Sequence, residues 1–355
     1  MTAPSEAVPE PGDRPRVKTQ YSVVVHGPDL VELREGVWNA TSVTLTDDAG
    51  GGRLLAVIDA LDGTSTVAEI AARTGVRVAD VQDVCARLLS ARAAELAPSS
   101  ALDHYVATLM AGDELAPVTA RTALVLGDGE IAAQTHEHLA ASAEAASVER
   151  FADDALWRRL CQDNLAGREG DALHGERLLD EFATFRDTLL VAALDVVNPI
   201  LLRNLNRIAI GLNVPWVHAA SDGPFLVVGP TVVPGRSPCY ECFERRVALN
   251  MRESDSYVRY KRALAQGQVR LGRPVLPAPV RSLVASLVSL EAVNHLVAGS
   301  TFTIGKALTV YLPTMEFCYH DVLRLPSCRV CVPRREAVQR QLHFDVRTYL
   351  NQVAR

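Results

Sequence analysis

The sequence predicts an α/β protein in two parts: a small winged-helix unit, then a larger unit on a mostly parallel sheet. Three observations predict it. Between residues 20 and 96, three short β-patterned runs precede three helical ones. From Arg121 onward, apolar runs of strand length alternate with amphipathic helical stretches, the pattern of a sheet covered by helices on both faces. Late in that second part stand two C-x-x-C pairs, Cys239 with Cys242 and Cys328 with Cys331.

The chain has 355 residues, 48% hydrophobic, enough for two or three domains with a sizeable core. Its net charge is −6 with no block of like charge, so no large nucleic-acid footprint is indicated. Residues 1–19, "MTAPSEAVPEPGDRPRVKT", are rich in proline and charge and lack an apolar core. They read as a disordered tail and not as a signal peptide. No run of about 18 consecutive apolar residues is present, so no membrane contact is expected. A cytoplasmic location follows as an expectation, with thiols kept reduced.

In the first unit, "QYSVVVHGPDLVELREG" reads as a hairpin around "GPD". "ATSVTLTDD" is a third strand, with Val43 and Leu45 on one face and Ser42 and Thr44 on the other. "GGRLLAVIDALDG" is a short helix closed by Gly63. Thr66 caps a second helix, and Glu69 three residues on completes a capping box. The third helix carries Val78, Val81, Val84, Cys85 and Leu88 on one stripe. A winged helix often binds DNA, but Asp80 and Asp83 near the start of that helix would repel phosphate. Residues 97–120 read as a linker with one or two helical turns.

The second unit opens with a buried strand, "ALVL" at 123–126, and a turn Gly127-Asp128-Gly129-Glu130-Ile131-Ala132 leading into a helix. This is a relaxed G-x-G-x-x-A turn, weak evidence of a nucleotide site and also what a tight strand–helix turn needs. Residues 133–187 are Ala-rich and poorly patterned. "TLLVAALDVV" (188–197) is a second buried strand, with Asp195 readable as the N-cap of the helix that follows. "PWVHAAS" is a strand, "GPFLVVGPTVVPG" a hairpin, and "VRSLVASLVSLEAVNHLVAGS" an apolar helix of about five turns. Two more strands follow. Cys318 and His320 fall in the last of them and read as a buried small residue and a structural histidine. Cys85 and Cys161 read as members of apolar helix faces.

Two C-x-x-C knuckles complete a tetrahedron of sulfur that suits zinc. Residues 243–327 separate them, too many for a compact zinc ribbon, so the ion must join distant parts of one fold. A thioredoxin-like redox pair is the alternative, but neither knuckle opens a helix in an early βαβ unit. Four thiolates leave no open position for water or substrate. The site reads as structural, and no catalytic residue is assigned.

The order of these motifs over 121–332 resembles the ThiF/MoeB family, the ubiquitin-activating-enzyme-like fold. The resemblance implies an adenylating α/β fold, a homodimer and a zinc held by four cysteines. It departs where that family binds nucleotide: Ala132 stands for the third glycine, Val196 for an asparagine beside Asp195, and no Arg/Lys pattern follows. The nucleotide site at Gly127, Gly129 and Asp195 therefore reads as degenerate. The stretch "LLAVIDALDGTSTVAEIAARTGV…VCARLLSARAAEL" resembles the PqqD-type peptide-recognition element of ribosomal peptide biosynthesis. That resemblance implies a leader peptide added as a strand beside residues 41–46, along Ser42, Val43, Thr44 and Leu45. Asp80, Asp83, Val84 and Arg87 of the third helix would line the groove. Together the two units resemble the ocin-ThiF-like partners of YcaO cyclodehydratases in thiazole/oxazole and thiopeptide pathways. The expectation is leader recognition by this chain, with ATP-driven azoline formation by a separate YcaO protein. Two alternatives stay open: an active adenylating enzyme for a sulfur carrier or peptide C-terminus, and a zinc-bearing winged-helix DNA regulator. No YcaO domain is read here, because only a short tail (333–355) follows the second knuckle.

Overall fold

The computed structural model describes residues 8–38, 41–110, 122–142, 146–167 and 172–332. The chain divides into two compact units between residues 108 and 109. Of the 97–120 stretch, residues 111–120 lie outside the described residues, and Ala101–Met110 forms a helix longer than the one or two turns expected.

The first unit begins with β1 (Arg16–Val17), β2 (Ser22–Gly27), β3 (Leu30–Glu35) and β4 (Thr41–Thr46). Helices α1 (Leu54–Ala60), α2 (Val67–Thr74) and α3 (Val78–Ser90) follow, then β5 (Ala94–Glu95) and α4 (Ala101–Met110). β2, β3 and β4 form an antiparallel sheet in that order. Apolar–polar alternation sets its register: Val31, Leu33 and Leu45 turn inward and are buried. α1 lacks a side-chain cap of its own. Instead the Asp29 carboxylate in the hairpin turn accepts the amides of Gly52 and Arg53, at 2.8 and 3.1 Å, just before it. α2 has the expected capping box and ends at Gly75 with φ 66°, a left-handed stop that glycine makes at no steric cost. The α3 stripe packs inward as expected at Val81, Cys85 and Leu88. Val78 at the first turn is 36% exposed, outside that core.

The tail needs correcting. Residues 8–19 are built into the first unit. β1 pairs antiparallel with β5. The Asp13 carbonyl accepts the Val67 amide at 2.9 Å, and the Pro9 carbonyl accepts from Gln82 at 2.8 Å. Arg16 pairs with Glu95, a carboxylate only 8% exposed that needs a cation. A proline- and charge-rich segment has no core of its own, but its backbone and one arginine find partners.

The second unit carries a seven-stranded sheet in the order β12-β11-β10-β9-β8-β6-β7. Its strands are β6 (Thr122–Leu126), β7 (Ser147–Arg150), β8 (Thr188–Leu194), β9 (Trp216–Asp222), β10 (Phe225–Val228), β11 (Lys306–Tyr311) and β12 (Glu316–Asp321). β7, β6, β8 and β9 are parallel, and β10 to β12 extend the sheet antiparallel. β8 is buried at every residue, as a central parallel strand covered on both faces should be. α5 (Glu130–Ser142) and α11 (Ala278–Ala298) pack together on one face. On the other lie α6 (Asp154–Gln162), α7 (Ala172–Glu181), α8 (Pro199–Leu212), α9 (Tyr240–Asn250) and α10 (Ser254–Ala265). The poorly patterned 133–187 stretch thus holds ordered elements, including the sheet's edge strand β7. α11 is, among the described residues, the one helix long and apolar enough to cross a membrane. Half of its apolar window is buried inside the protein, where it packs on α5, β8, β9 and β10.

Two strand readings are corrected. The runs in "GPFLVVGPTVVPG" do not pair with each other. β10 pairs with β9 and β11, while Thr231 and Val232 make single bridges to Ile304 and Trp216. Cys318 is not buried: β12 is an edge strand exposed at all six residues. His320 bonds the Thr309 hydroxyl across the ladder at 2.8 Å.

Candidate functional site

The four paired cysteines come together. Cys239 precedes the first turn of α9, and Cys242 lies within that turn. Cys328 and Cys331 come from the turn after β12. The first knuckle opens a helix, but a late one that follows antiparallel β10 and not an early βαβ unit, and it faces two more cysteines and not a redox partner. Sγ–Sγ separations are 3.9 Å for 239–242 and 3.6 Å for both 239–328 and 242–331. All four sulfurs lie within 4.8 Å of one another. A tetrahedron with Zn–S bonds of about 2.3 Å has edges of about 3.8 Å, and the 3.6–3.9 Å separations match it, so the donor set suits that ion. All four residues are buried, at most 6% exposed. The Leu325 amide points at Cys242 Sγ, 3.4 Å away, and the hydrogen bond from Cys239 helps push the Cys242 thiol down to about 6. A cation would replace protons that these sulfurs otherwise share.

Beneath α9 lies a charged network. Glu244, 4% exposed, accepts from Tyr257 at 2.7 Å and pairs with Lys261 at 3.1 Å. Arg203 approaches it to 3.9 Å and Glu241 to 3.8 Å. Burial and the Glu244 carboxylate push the Tyr257 hydroxyl pKa up. This network ties α8, α9 and α10 together around the knuckle.

A cleft of about 650 Å³ opens at the carboxyl ends of β6 and β8. β6 leads to β7 on one side, and the next strand, β8, lies on its other side, so this is the switch point where α/β sheets bind ligands. Gly127, at φ 149°, is obligatory: a Cβ there would stand 2.2 Å from the Ala193 carbonyl and 2.6 Å from the Ala132 Cβ. The Asp195 carboxylate accepts the amides of Ile131 (3.1 Å) and Glu130 (3.4 Å) at the start of α5. It also fills the space a Cβ on Gly129 would take. Asp195 is therefore not the cap of its own helix. Asn198 does that, accepting from Ile200 and Leu201 at 3.1 and 3.2 Å. Asp195 instead neutralises the amides that would greet an anion. Arg270 and Arg273, from the segment after α10, also line the cleft. Sequence reasoning missed these cations because they arrive from far downstream.

The eight residues named for peptide binding lie on two elements. Ser42, Val43, Thr44 and Leu45 are on β4, an outer strand that pairs only with β3 among the described residues. Leu45 is 8% exposed, and Ser42 and Thr44 are exposed. The Asp47 amide bonds the Asp29 carbonyl, continuing the register that pairs Thr46 with Leu30. Hydrogen-bonded pairs alternate along such a ladder. Val43 and Leu45 therefore bond to β3, and Ser42 and Thr44 turn their amides outward. On α3, Asp80 pairs with Arg77 (2.6 Å) and Asp83 with Arg87 (2.9 Å), all exposed. The Arg77 guanidinium lowers the Asp80 pKa. Val84 packs at the margin of the core.

No family profile and no curated protein matches the sequence. Solved structures do match. The heterocyclase TruD aligns over 90% of this chain and 43% of its own, with TM-score 0.59 and 20% identity. A heterocyclase in complex with substrate and cofactor aligns at TM-score 0.60 and 19% identity, over 90% of this chain and 39% of its own. E. coli MccB, the Microcin C7 biosynthetic enzyme, in complex with N-formylated MccA, aligns at TM-score 0.52 and 15% identity over 90% and 99%. The chain thus spans about two fifths of the heterocyclases it matches, and shares its fold with them and with nearly the whole of MccB.

Proposed function

We propose that this chain recognises the leader of a ribosomally made precursor peptide and presents it to a separate YcaO cyclodehydratase, which forms azolines with ATP. The observation that carries the proposal is the outer edge of β4. It offers outward amides at Ser42 and Thr44 beside an apolar register at Val43 and Leu45. Such an edge binds an extended peptide by strand addition, with main-chain bonds for affinity and side chains for register. α3 would form the other wall, as a PqqD-like, winged-helix arrangement implies. Its aspartates would first have to leave Arg77 and Arg87, exposed pairs worth little. A heterocyclase fold in the neighbours supports this setting.

The proposal gives this chain a structural zinc, a cytoplasmic location and a homodimeric state, with no nucleic-acid or membrane partner and no catalytic residue. Asp195 at the start of α5 supports a recognition role without ATP turnover. A second reading, adenylation by this chain, is favoured by one observation: Arg270 and Arg273 give the cleft two cations.

The test is fluorescence anisotropy of a labelled leader peptide with the full chain and a Thr44→Pro variant. Proline at 44 removes an outward amide and leaves the β3 ladder intact. Leader binding at least tenfold weaker in the variant is expected. Unchanged binding would remove β4 from the recognition surface.

A further inference from the structure

β12 ends the large sheet, and its outer edge has no partner strand among the described residues. Its sequence, Glu316-Phe317-Cys318-Tyr319-His320-Asp321, leaves Phe317 and Tyr319 half exposed. It carries no proline or lysine of the kind that guards sheet edges. The hydrogen-bond phase of the strand is fixed. The Val322 amide donates to the Gly305 carbonyl at 2.8 Å, continuing the register that pairs Asp321 with Lys306. By alternation, Cys318 and His320 bond inward to β11, and Phe317, Tyr319 and Asp321 turn N–H and C=O outward.

A second copy of β12 could pair antiparallel with this edge only by matching outward residues with outward residues. That requires the two-fold axis to pass through a residue and not between two. With the axis at Tyr319, Phe317 would face the carboxylate of the partner's Asp321. With the axis at Phe317, Glu316 would face a thiol. With the axis at Cys318, Phe317 faces the partner's Tyr319 and Glu316 faces the partner's His320. Each aromatic then meets an aromatic and each carboxylate an imidazole, both favourable cross-strand pairs.

We infer that two copies of this chain join edge to edge through β12, on a two-fold axis at Cys318, into one continuous sheet. This rests on the homodimer proposed above and specifies its surface. The pairing puts Cys318 opposite its own copy at a non-hydrogen-bonded position. There Cα atoms lie about 4.5 Å apart, within disulfide range. Cys318 is also the one exposed cysteine of the seven, so it reports on the contact without competition from the others.

The full chain is first measured by light scattering, then oxidised with diamide, which takes up the two thiol hydrogens. A dimer is expected that converts to a disulfide-linked pair in a yield unchanged by tenfold dilution above its dissociation constant. Cys318→Ser should stay dimeric and lose the link. The double change Phe317→Lys with Tyr319→Lys should weaken the dimer at least tenfold, with zinc content and circular dichroism unchanged. A dimer that neither cross-links nor responds to the lysines would overturn the edge pairing and leave the homodimer standing. A monomer at all concentrations would end both.

Discussion

His218, on β9, is 1% exposed, and burial pushes its pKa down to about 3. Trp216, Tyr240 and Phe243 surround it, so the folded protein holds the imidazole neutral. An unfolded chain protonates it near 6.5. Above that pH it adds no dependence. Below it the unfolded state binds the extra proton, and stability falls down to about pH 3, by roughly 5 kcal/mol at most. The expected outcome is a shallower loss of urea stability between pH 6.5 and 4 in His218→Gln than in the native chain. The metal ligands give a second test. Cys328→Ser should drop zinc well below one per chain and cost several kcal/mol, since metal binding and folding are coupled; metal analysis and thermal melts check both. The cysteines were legible because C-x-x-C spacing is local. The seat of Asp195 was not, because its contact with Ile131 spans 64 residues and no local pattern encodes it.

Helix termini carry their own instructions, and those at the start of α2 were legible, though the cap of α8 was misplaced by three residues. Thr66 and Glu69 form both bonds of the box, at 3.2 and 2.8 Å. Thr66→Ala should lower stability by about 1 kcal/mol in denaturant titration, with leader affinity unchanged. Strands were harder to read. β12 alternates as a half-buried strand would, but burial depends on what covers a strand, and nothing described covers this one. β7 has four residues, only Val148 partly enclosed, too short and exposed for a periodic signal. The 8–19 segment failed for a related reason: it is held by main-chain bonds to β5 and α2, by the Gln82 side chain of α3 and by the Arg16–Glu95 pair, which composition does not register.

For the molecule as a whole, the alternation of strands and helices announced the α/β sheet, and the two C-x-x-C pairs announced that its ends must meet. Strand order was not legible, since four parallel and three antiparallel strands in one sheet depend on crossovers that periodicity does not encode. The switch-point cleft follows from that order, and with it the cations at Arg270 and Arg273. The purified chain alone should show no ATP turnover in a phosphate-release assay, because Asp195 occupies the amides that phosphates would need. Turnover that Asp195→Ala leaves undiminished would favour adenylation.

A metal held by the four cysteines would also set the lifetime of the fold. Its facing sulfurs are 89 residues apart along the chain, and α10, α11, β11 and β12 all lie between them. Bringing such distant ends together costs roughly 4–5 kcal/mol of chain entropy, which the rest of the sheet must supply before the ion can bind. A bound zinc would then arrive as the last step of assembly. Chelation should consequently leave refolding rates nearly unchanged and speed unfolding of the antiparallel half, so the ion governs how long the structure persists more than how fast it forms.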